Sequence, residues 1–112
     1  PAGRALLDYA LGHLQQTSVV LEIGSGCGLT AIGIALARPS IHVIATDCCR
    51  ESLQNLQHNV QRAHLADRVR VLHWDVVHSH HSFPFDAKQI TDVIAADIIY
   101  GSGADAGLVD VL

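Results

Sequence analysis

The pattern of apolar and polar positions divides this chain into short apolar runs and longer segments of helical periodicity. Four runs rich in Val, Ile and Leu have the length of buried strands, and they span 19–23, 41–46, 68–73 and 91–96. Because these runs alternate with helical segments, they predict an α/β fold with a parallel sheet and right-handed crossovers. The expected architecture is a Rossmann-like doubly wound parallel sheet within a single domain.

The segments between the runs predict helices and one long loop. Apolar residues at helical spacing indicate an amphipathic helix over 3–15 and a largely apolar, buried helix over 30–38. Asp47 is expected to open a third helix. Residues 76–90 contain many turn-forming residues, which predicts a long loop with one helical turn, and a last helix is expected after residue 103.

Polar or aromatic residues lie at or just after the end of each predicted strand. They are Glu22 in the first strand, Asp47 after the second, Trp74 and Asp75 after the third, and Asp97 and Tyr100 after the fourth. The carboxyl ends of parallel strands meet at one edge of the sheet, and ligands of such folds bind there. These residues are therefore predicted to border one site.

A glycine-rich loop between the first strand and the next helix is the strongest local signal. Gly24, Gly26 and Gly28 are spaced two apart, whereas the dinucleotide fingerprint needs a glycine at the position of Leu29. Glu22 precedes the first glycine by two residues, where a carboxylate would repel a diphosphate but attract a cationic ligand. A dinucleotide site and a simple glycine-rich turn are the two alternatives.

Asp47 supports the interpretation of that loop as a ligand site. It ends the second strand about twenty residues after the loop, which is the offset at which doubly wound nucleotide-binding folds place an acid on ribose hydroxyls. The alternative for Asp47 taken alone is a surface residue.

Charge and cysteine content restrict the classes of partner. The formal charge is −4 and the seven basic residues are scattered, which argues against nucleic acid and favours a protein or a small molecule. Three cysteines do not form a disulfide framework, and neither a leader nor a long apolar span is present. We expect a reduced, soluble, cytoplasmic monomer that does not bind a membrane. The chain starts without Met and ends in an apolar run, so we expect a piece of a longer protein.

Four motifs together resemble family 16 of the seven-strand S-adenosyl-L-methionine-dependent methyltransferases. They are Leu21 to Thr30, Asp47-Cys48, Leu72 to Asp75, and Ala95 to Tyr100, which contains an Asp-x-x-Tyr signature. The resemblance implies that 1–112 is the N-terminal four-strand portion of the methyltransferase domain, without strands five to seven. It also implies a protein-lysine N-methyltransferase, with elongation factor 2 as a candidate substrate.

The same resemblance implies roles for individual residues. Glu22, Gly24, Ser25 and Gly26 would shape the pocket for the methionine part of S-adenosyl-L-methionine, and Asp47 would hold its ribose. Trp74 would stack on the adenine, Asp75 would hydrogen-bond to it, and Ala96 would line the pocket. Asp97 and Tyr100 would face the transferred methyl group and the substrate lysine.

Other interpretations of these residues stay open at this stage. Taken alone, Trp74 is typical of a core residue, Asp75 of a turn residue and Asp97 of a cap. Cys27 is either a reactive thiol near a helix N-terminus or a small residue that fits the loop. The histidines at 78, 80 and 81 lack further ligands at metal-binding spacing, so no metal is expected. The functional alternatives are a small-molecule or other methyltransferase on the same fold, or a non-catalytic partner-binding module.

Overall fold

The computed structural model describes residues 2–14, 18–79 and 82–95. The elements in chain order are α1 (Ala2–His13), β1 (Val19–Ile23), α2 (Leu29–Ala37), β2 (His42–Asp47), α3 (Arg50–Arg62), β3 (Val69–His73), the single-turn α4 (Val76–Ser79), a 3₁₀ turn (Ala87–Gln89) and β4 (Asp92–Ala95). The alternation of helix and strand predicted from the sequence is therefore observed in the described residues. The predicted last helix lies outside them.

The four strands form one parallel sheet in the order β3-β2-β1-β4. In the register, Val20 pairs with Val43 on one side and with Asp92 on the other, and Val43 pairs with Val69. The strand order reverses direction at β1, because β2 and β4 lie on opposite sides of it. The α/β class and the Rossmann-like parallel sheet predicted from the sequence are confirmed.

Side chains of alternate strand residues enter two different cores, as the period-2 geometry of a strand requires. Val20 and Val43 pack with α1, α2 and α3 in the first core. Leu21 and Ile23 pack with Trp74 in the second. Both faces of the sheet are thus apolar, which explains the nearly continuous apolar runs in the sequence.

One predicted detail of the helices is wrong. Asp47 does not open the third helix, because it is the last residue of β2 and α3 begins at Arg50 after the N-cap Cys49. Helix α2 packs between the sheet and α1, as its apolar composition predicted. Its buried residues are Thr30, Ala31, Ile34 and Ala35, whereas Leu29 and Leu36 are exposed.

Candidate active site

A cavity of about 540 Å³ opens at the carboxyl ends of β1, β2 and β3. Its lining includes all seven predicted cofactor residues that the structure describes, namely Glu22, Gly24, Ser25, Gly26, Asp47, Trp74 and Asp75. This volume is within the range of small-molecule sites. The structure therefore brings together residues that are up to 53 positions apart in the chain, at the sheet edge where the sequence places them.

The glycine loop adopts a conformation that only glycine accepts easily at three positions. The φ angles are +77° at Gly24, +58° at Gly26 and +99° at Gly28. A Cβ on Gly26 would meet no atom within 4 Å, whereas one on Gly28 would collide with the buried side chain of Leu56. Gly26 thus leaves space at the cavity, while Gly28 leaves room for the side chain of Leu56 beside the start of α2.

Glu22 is a buried carboxylate in the wall of this cavity, with 3% of its surface exposed. Burial raises its pKa from the ordinary 4.5 to about 7; the hydroxyl of Thr30 acts in the opposite direction, and the charge of Asp47 adds to the increase. Within the described part of the chain, Glu22 Oε1 and Ser25 Oγ have no hydrogen-bond partner. Buried polar atoms are rarely left unpaired, so these two indicate a polar ligand.

Asp47 is held in place by two backbone groups. The N–H of Gly26 donates to its Oδ2 at 2.9 Å, and the N–H of Cys49 donates to its Oδ1 at 2.9 Å. Each carboxylate oxygen keeps further acceptor capacity, since an ionised carboxylate has about four lone-pair sites. The first contact links the glycine loop to the end of β2 and so fixes two walls of the cavity against each other.

Trp74 and Asp75 form the third wall, and both have structural partners. The indole packs edge-on against Phe83 and Phe85, with centroids 5.6 and 5.3 Å away, and its Nε1–H donates to the carbonyls of Ser79 and Ser82. Trp74 is only 4% exposed, so it is a core residue and borders the cavity at the same time. Its stacking on an adenine stays a prediction.

The carboxylate of Asp75 accepts a hydrogen bond from His78 Nδ1 at 2.7 Å, and its Oδ1 accepts a longer one from the His78 N–H at 3.3 Å. The hydrogen bond from the His78 side chain lowers the pKa of Asp75. Asp75 therefore directly precedes α4 and lines the cavity as an anion. Its contact with an adenine also stays a prediction.

Three predicted site residues lie outside the described residues. They are Ala96, Asp97 and Tyr100, which follow β4 in the sequence. Their predicted roles toward the cofactor and the substrate lysine are carried into the proposals below.

Sequence reasoning missed several residues of the cavity wall. Thr30, whose hydroxyl affects Glu22, lies in the first turn of α2, and Val76 and Val77 directly follow the Trp-Asp pair. In the sequence, only their position next to predicted site residues indicated that they could line the cavity. Cys27 and Cys48 also line the cavity.

The arrangement fits a ligand that combines a cationic group with vicinal hydroxyls. An unpartnered buried carboxylate oxygen suits an ammonium or sulfonium group, and the fixed carboxylate of Asp47 suits a ribose. The described residues therefore fit S-adenosyl-L-methionine as a ligand. In the same part of the chain, no group of three His, Cys, Asp or Glu residues is arranged to hold a metal ion, and no helix has the length and apolarity needed to cross a membrane.

Comparison with known proteins identifies a family and a set of relatives. The model of methyltransferase family 16, described as lysine methyltransferase, matches residues 5–112. The human protein-lysine N-methyltransferase EEF2KMT is 37% identical over 107 residues, which cover 83% of this chain and 31% of that protein. The release factor glutamine methyltransferase of Thermosynechococcus vestitus is 43% identical over 56 residues, which cover 50% of this chain and 19% of that protein.

Two further matches extend the comparison. The tRNA (guanine-N(7)-)-methyltransferase of Bordetella parapertussis is 30% identical over 95 residues, covering 85% of this chain and 33% of that protein. The structure described as a putative S-adenosyl-L-methionine-dependent methyltransferase from Methanococcus maripaludis has a TM-score of 0.75 at 17% identity. The match covers 99% of this chain and 50% of that chain, which shows the shared fold. The chain spans a third or less of the length of these curated relatives.

Proposed function

Because the chain belongs to the lysine methyltransferase family, whose model matches residues 5–112, we propose that the full-length protein methylates lysine side chains of a protein, with S-adenosyl-L-methionine as donor. The observation that carries the proposal is the buried carboxylate of Glu22. It lines the cavity at the strand ends and keeps one oxygen without a partner among the described residues. A cationic donor supplies the missing partner.

In this proposal, the described residues hold the donor by its distinct parts. Glu22 and Ser25 take the charged methionine part, where their unpartnered oxygens accept hydrogen bonds. Asp47, fixed by two backbone N–H groups, accepts hydrogen bonds from the ribose hydroxyls. Trp74 and Asp75 border the adenine. Gly26 allows close approach, because no side chain fills the space beside it.

When bound, S-adenosyl-L-methionine supplies an electrophilic methyl group on a cationic sulfur. The nucleophile must be a neutral amine, whereas a free lysine has a pKa of about 10.4. We assign Asp97 to attract and orient the lysine ammonium, and Tyr100 to form an aromatic wall or a hydroxyl contact beside it. Positioning of the amine and exclusion of water then provide the rate enhancement.

Elongation factor 2 is the substrate that we propose to test first. The supporting observation is the 37% identity to human EEF2KMT, together with the match of the lysine methyltransferase family model. The charge of −4 favours a protein over a nucleic acid. We further propose that the protein acts in the cytoplasm as a monomer.

The test is methylation of fractionated cell lysate by the full-length protein with a radiolabelled methyl donor, followed by mass spectrometry of the labelled protein band. Methyl-lysine in elongation factor 2 is the expected result. Label in RNA, or in a glutamine of a release factor, would instead support a function like that of the tRNA or release-factor relatives. No transfer, combined with no binding of S-adenosylhomocysteine, would leave a partner-binding module as the better description.

Asp97→Ala separates the proposed lysine contact from donor binding. We expect the rate of methyl transfer to fall at least about 100-fold, which is typical when a residue that positions a reacting group is removed. Calorimetry should find S-adenosylhomocysteine affinity within about threefold of the wild type, since Asp97 is assigned to the lysine. The exposed Asp67→Ala serves as the matched control. Undiminished transfer by Asp97→Ala would remove this residue from the mechanism.

A further inference from the structure

Two of the three cysteines of the chain line the cavity, and the third is the sequence neighbour of one of them. Cys27, in the glycine loop, and Cys48, directly after β2, line it, whereas Cys49 is the N-cap residue of α3 and is not part of the lining. All three are free and exposed to solvent. None of them has a part in holding the donor as proposed above.

Hydrogen bonds fix the backbone of both lining cysteines. Asn59 Nδ2 of α3 donates to the carbonyl of Cys27 at 2.9 Å, and His73 Nε2 at the end of β3 lies 3.1 Å from the carbonyl of Cys48. The two cysteines also directly follow Gly26 and Asp47, which are joined by a hydrogen bond. Both thiols are therefore held in the wall that the donor would contact.

The neighbouring thiols of Cys48 and Cys49 differ in their expected reactivity. Burial, with the charges of Asp47 and Asp75, raises the pKa of the Cys48 thiol. The backbone N–H of Ser52, in the first turn of α3, lowers that of Cys49. Since the thiolate is the nucleophile, Cys49 should react sooner with an electrophile. It provides an internal reference, because it is close to the cavity without lining it.

We propose that Cys27 and Cys48 form a covalent modification site in the cavity wall, where a soft carbon electrophile bonded to either sulfur excludes the methyl donor. The proposal rests on the proposed function, because it takes the cavity as the donor site. An α,β-unsaturated carbonyl compound is the fitting chemical class. The thiolate adds to the carbon–carbon double bond, a C–S bond forms, and the electron pair of the broken π bond takes a proton from water.

The test uses N-ethylmaleimide on the full-length protein, with and without S-adenosylhomocysteine, and peptide mass spectrometry of each cysteine. With S-adenosylhomocysteine at about 100 times its Kd, alkylation of Cys27 and Cys48 should slow by about 100-fold, because only the ligand-free fraction reacts. Cys49 should react at a rate changed by less than about threefold. Equal protection, or no protection, at all three positions would overturn the proposal.

Calorimetry after alkylation measures the consequence. Treated wild type and treated Cys49→Ser should both lose S-adenosylhomocysteine binding in proportion to the modified fraction of Cys27 and Cys48. The double variant Cys27→Ser/Cys48→Ser should keep, after treatment, whatever binding capacity it has before treatment. Binding that persists in fully alkylated wild type would overturn the modification site alone, whereas a lack of binding in untreated wild type would overturn the donor cavity and the modification site together.

Discussion

At the amino ends of the strands, polar groups are paired by side chains that reach across the fold. Arg68 donates to the carbonyls of Arg38 and Ile41, and Arg38 donates to the carbonyl of Leu11 at 2.7 Å. Thr91 exchanges hydrogen bonds with Val19, both through its backbone and through its hydroxyl. The carbonyls of Leu11, Val19, Arg38 and Ile41 thus all accept side-chain hydrogen bonds.

At the carboxyl ends of the same strands, the arrangement is less favourable for stability. Three glycines adopt positive φ angles, a carboxylate is buried with a raised pKa, and two buried oxygens lack partners in the described part of the chain. The buried carboxylate and the unpartnered oxygens each cost free energy in the free protein. The contrast indicates that the amino ends hold the sheet together, while the carboxyl ends keep polar groups ready for a ligand.

The glycine loop gives the largest expected effects. Gly28→Ala should lower the free energy of unfolding by about 4 kcal/mol, because it combines an unfavourable φ of +99° with a collision against Leu56. Gly26→Ala should cost only about 1 kcal/mol, since its φ of +58° is in the left-handed region and its Cβ meets nothing. Urea denaturation measures both. Equal costs would mean that both glycines serve packing.

Gly26→Ala also tests whether the carboxyl ends of the strands bind a ligand. Gly26→Ala should weaken S-adenosylhomocysteine binding by more than about tenfold, or about 1.4 kcal/mol, because its Cβ occupies space at the cavity. Normal affinity in this variant would show that the ligand does not approach the loop closely.

Glu22→Gln should stabilise the protein at alkaline pH. The unfolded chain loses the Glu22 proton near pH 4.5 and the folded protein near pH 7, so this group's contribution is most favourable below pH 4.5 and is lost as the pH rises to about 7. Above that pH the ionised form costs about 3.5 kcal/mol, from about 1.4 kcal/mol for each of the roughly 2.5 pH units that separate the two pKa values. Glu22→Gln should recover up to this amount at pH 8.

Denaturation at pH 4 and pH 8 measures the effect, with Glu51→Gln on the exposed first turn of α3 as control. Glu22→Gln should gain stability relative to the wild type as the pH rises. Its affinity for S-adenosylhomocysteine should be lower than that of the wild type. A constant difference at both pH values would contradict a raised pKa at this position.

Arg38→Met tests the opposite end of the sheet. It removes the hydrogen bond to the carbonyl of Leu11, which links α2 to the end of α1, and should cost about 1 to 2 kcal/mol. The exposed Arg70→Met should stay within about 0.5 kcal/mol of the wild type. Binding of S-adenosylhomocysteine should be the same in both variants. A loss of affinity in Arg38→Met alone would show that the two ends are coupled.

His64→Gly is expected to have the smallest effect. His64 follows α3 and is the one non-glycine residue with a positive φ, of 59°, in the described ranges. Glycine accepts this conformation without a Cβ penalty, so the substitution should stabilise the protein by about 0.5 to 1 kcal/mol. Thermal denaturation measures it, and a loss of stability would mean that the imidazole makes a favourable contact.

Local patterns were sufficient for the elements of this fold. The run from Val19 to Ile23 was predicted with its observed limits, because an apolar strand stops where a glycine follows it. The start of α3 was wrong by three residues. There, the carboxylate of Asp47 binds the N–H of Gly26, 21 positions away, instead of capping the next helix, and no local pattern contains that contact.

The sequence by itself determined the order of strands and helices, the edge of the sheet where polar side chains collect, and the glycine positions, because these depend on periodicity and backbone preference within a few residues. Only the tertiary structure decided that Gly28 serves packing while Gly26 leaves space, and that Glu22 keeps an unpartnered oxygen. Those properties depend on which distant groups exclude water and which supply hydrogen bonds. They arise only when separate segments of the chain come together.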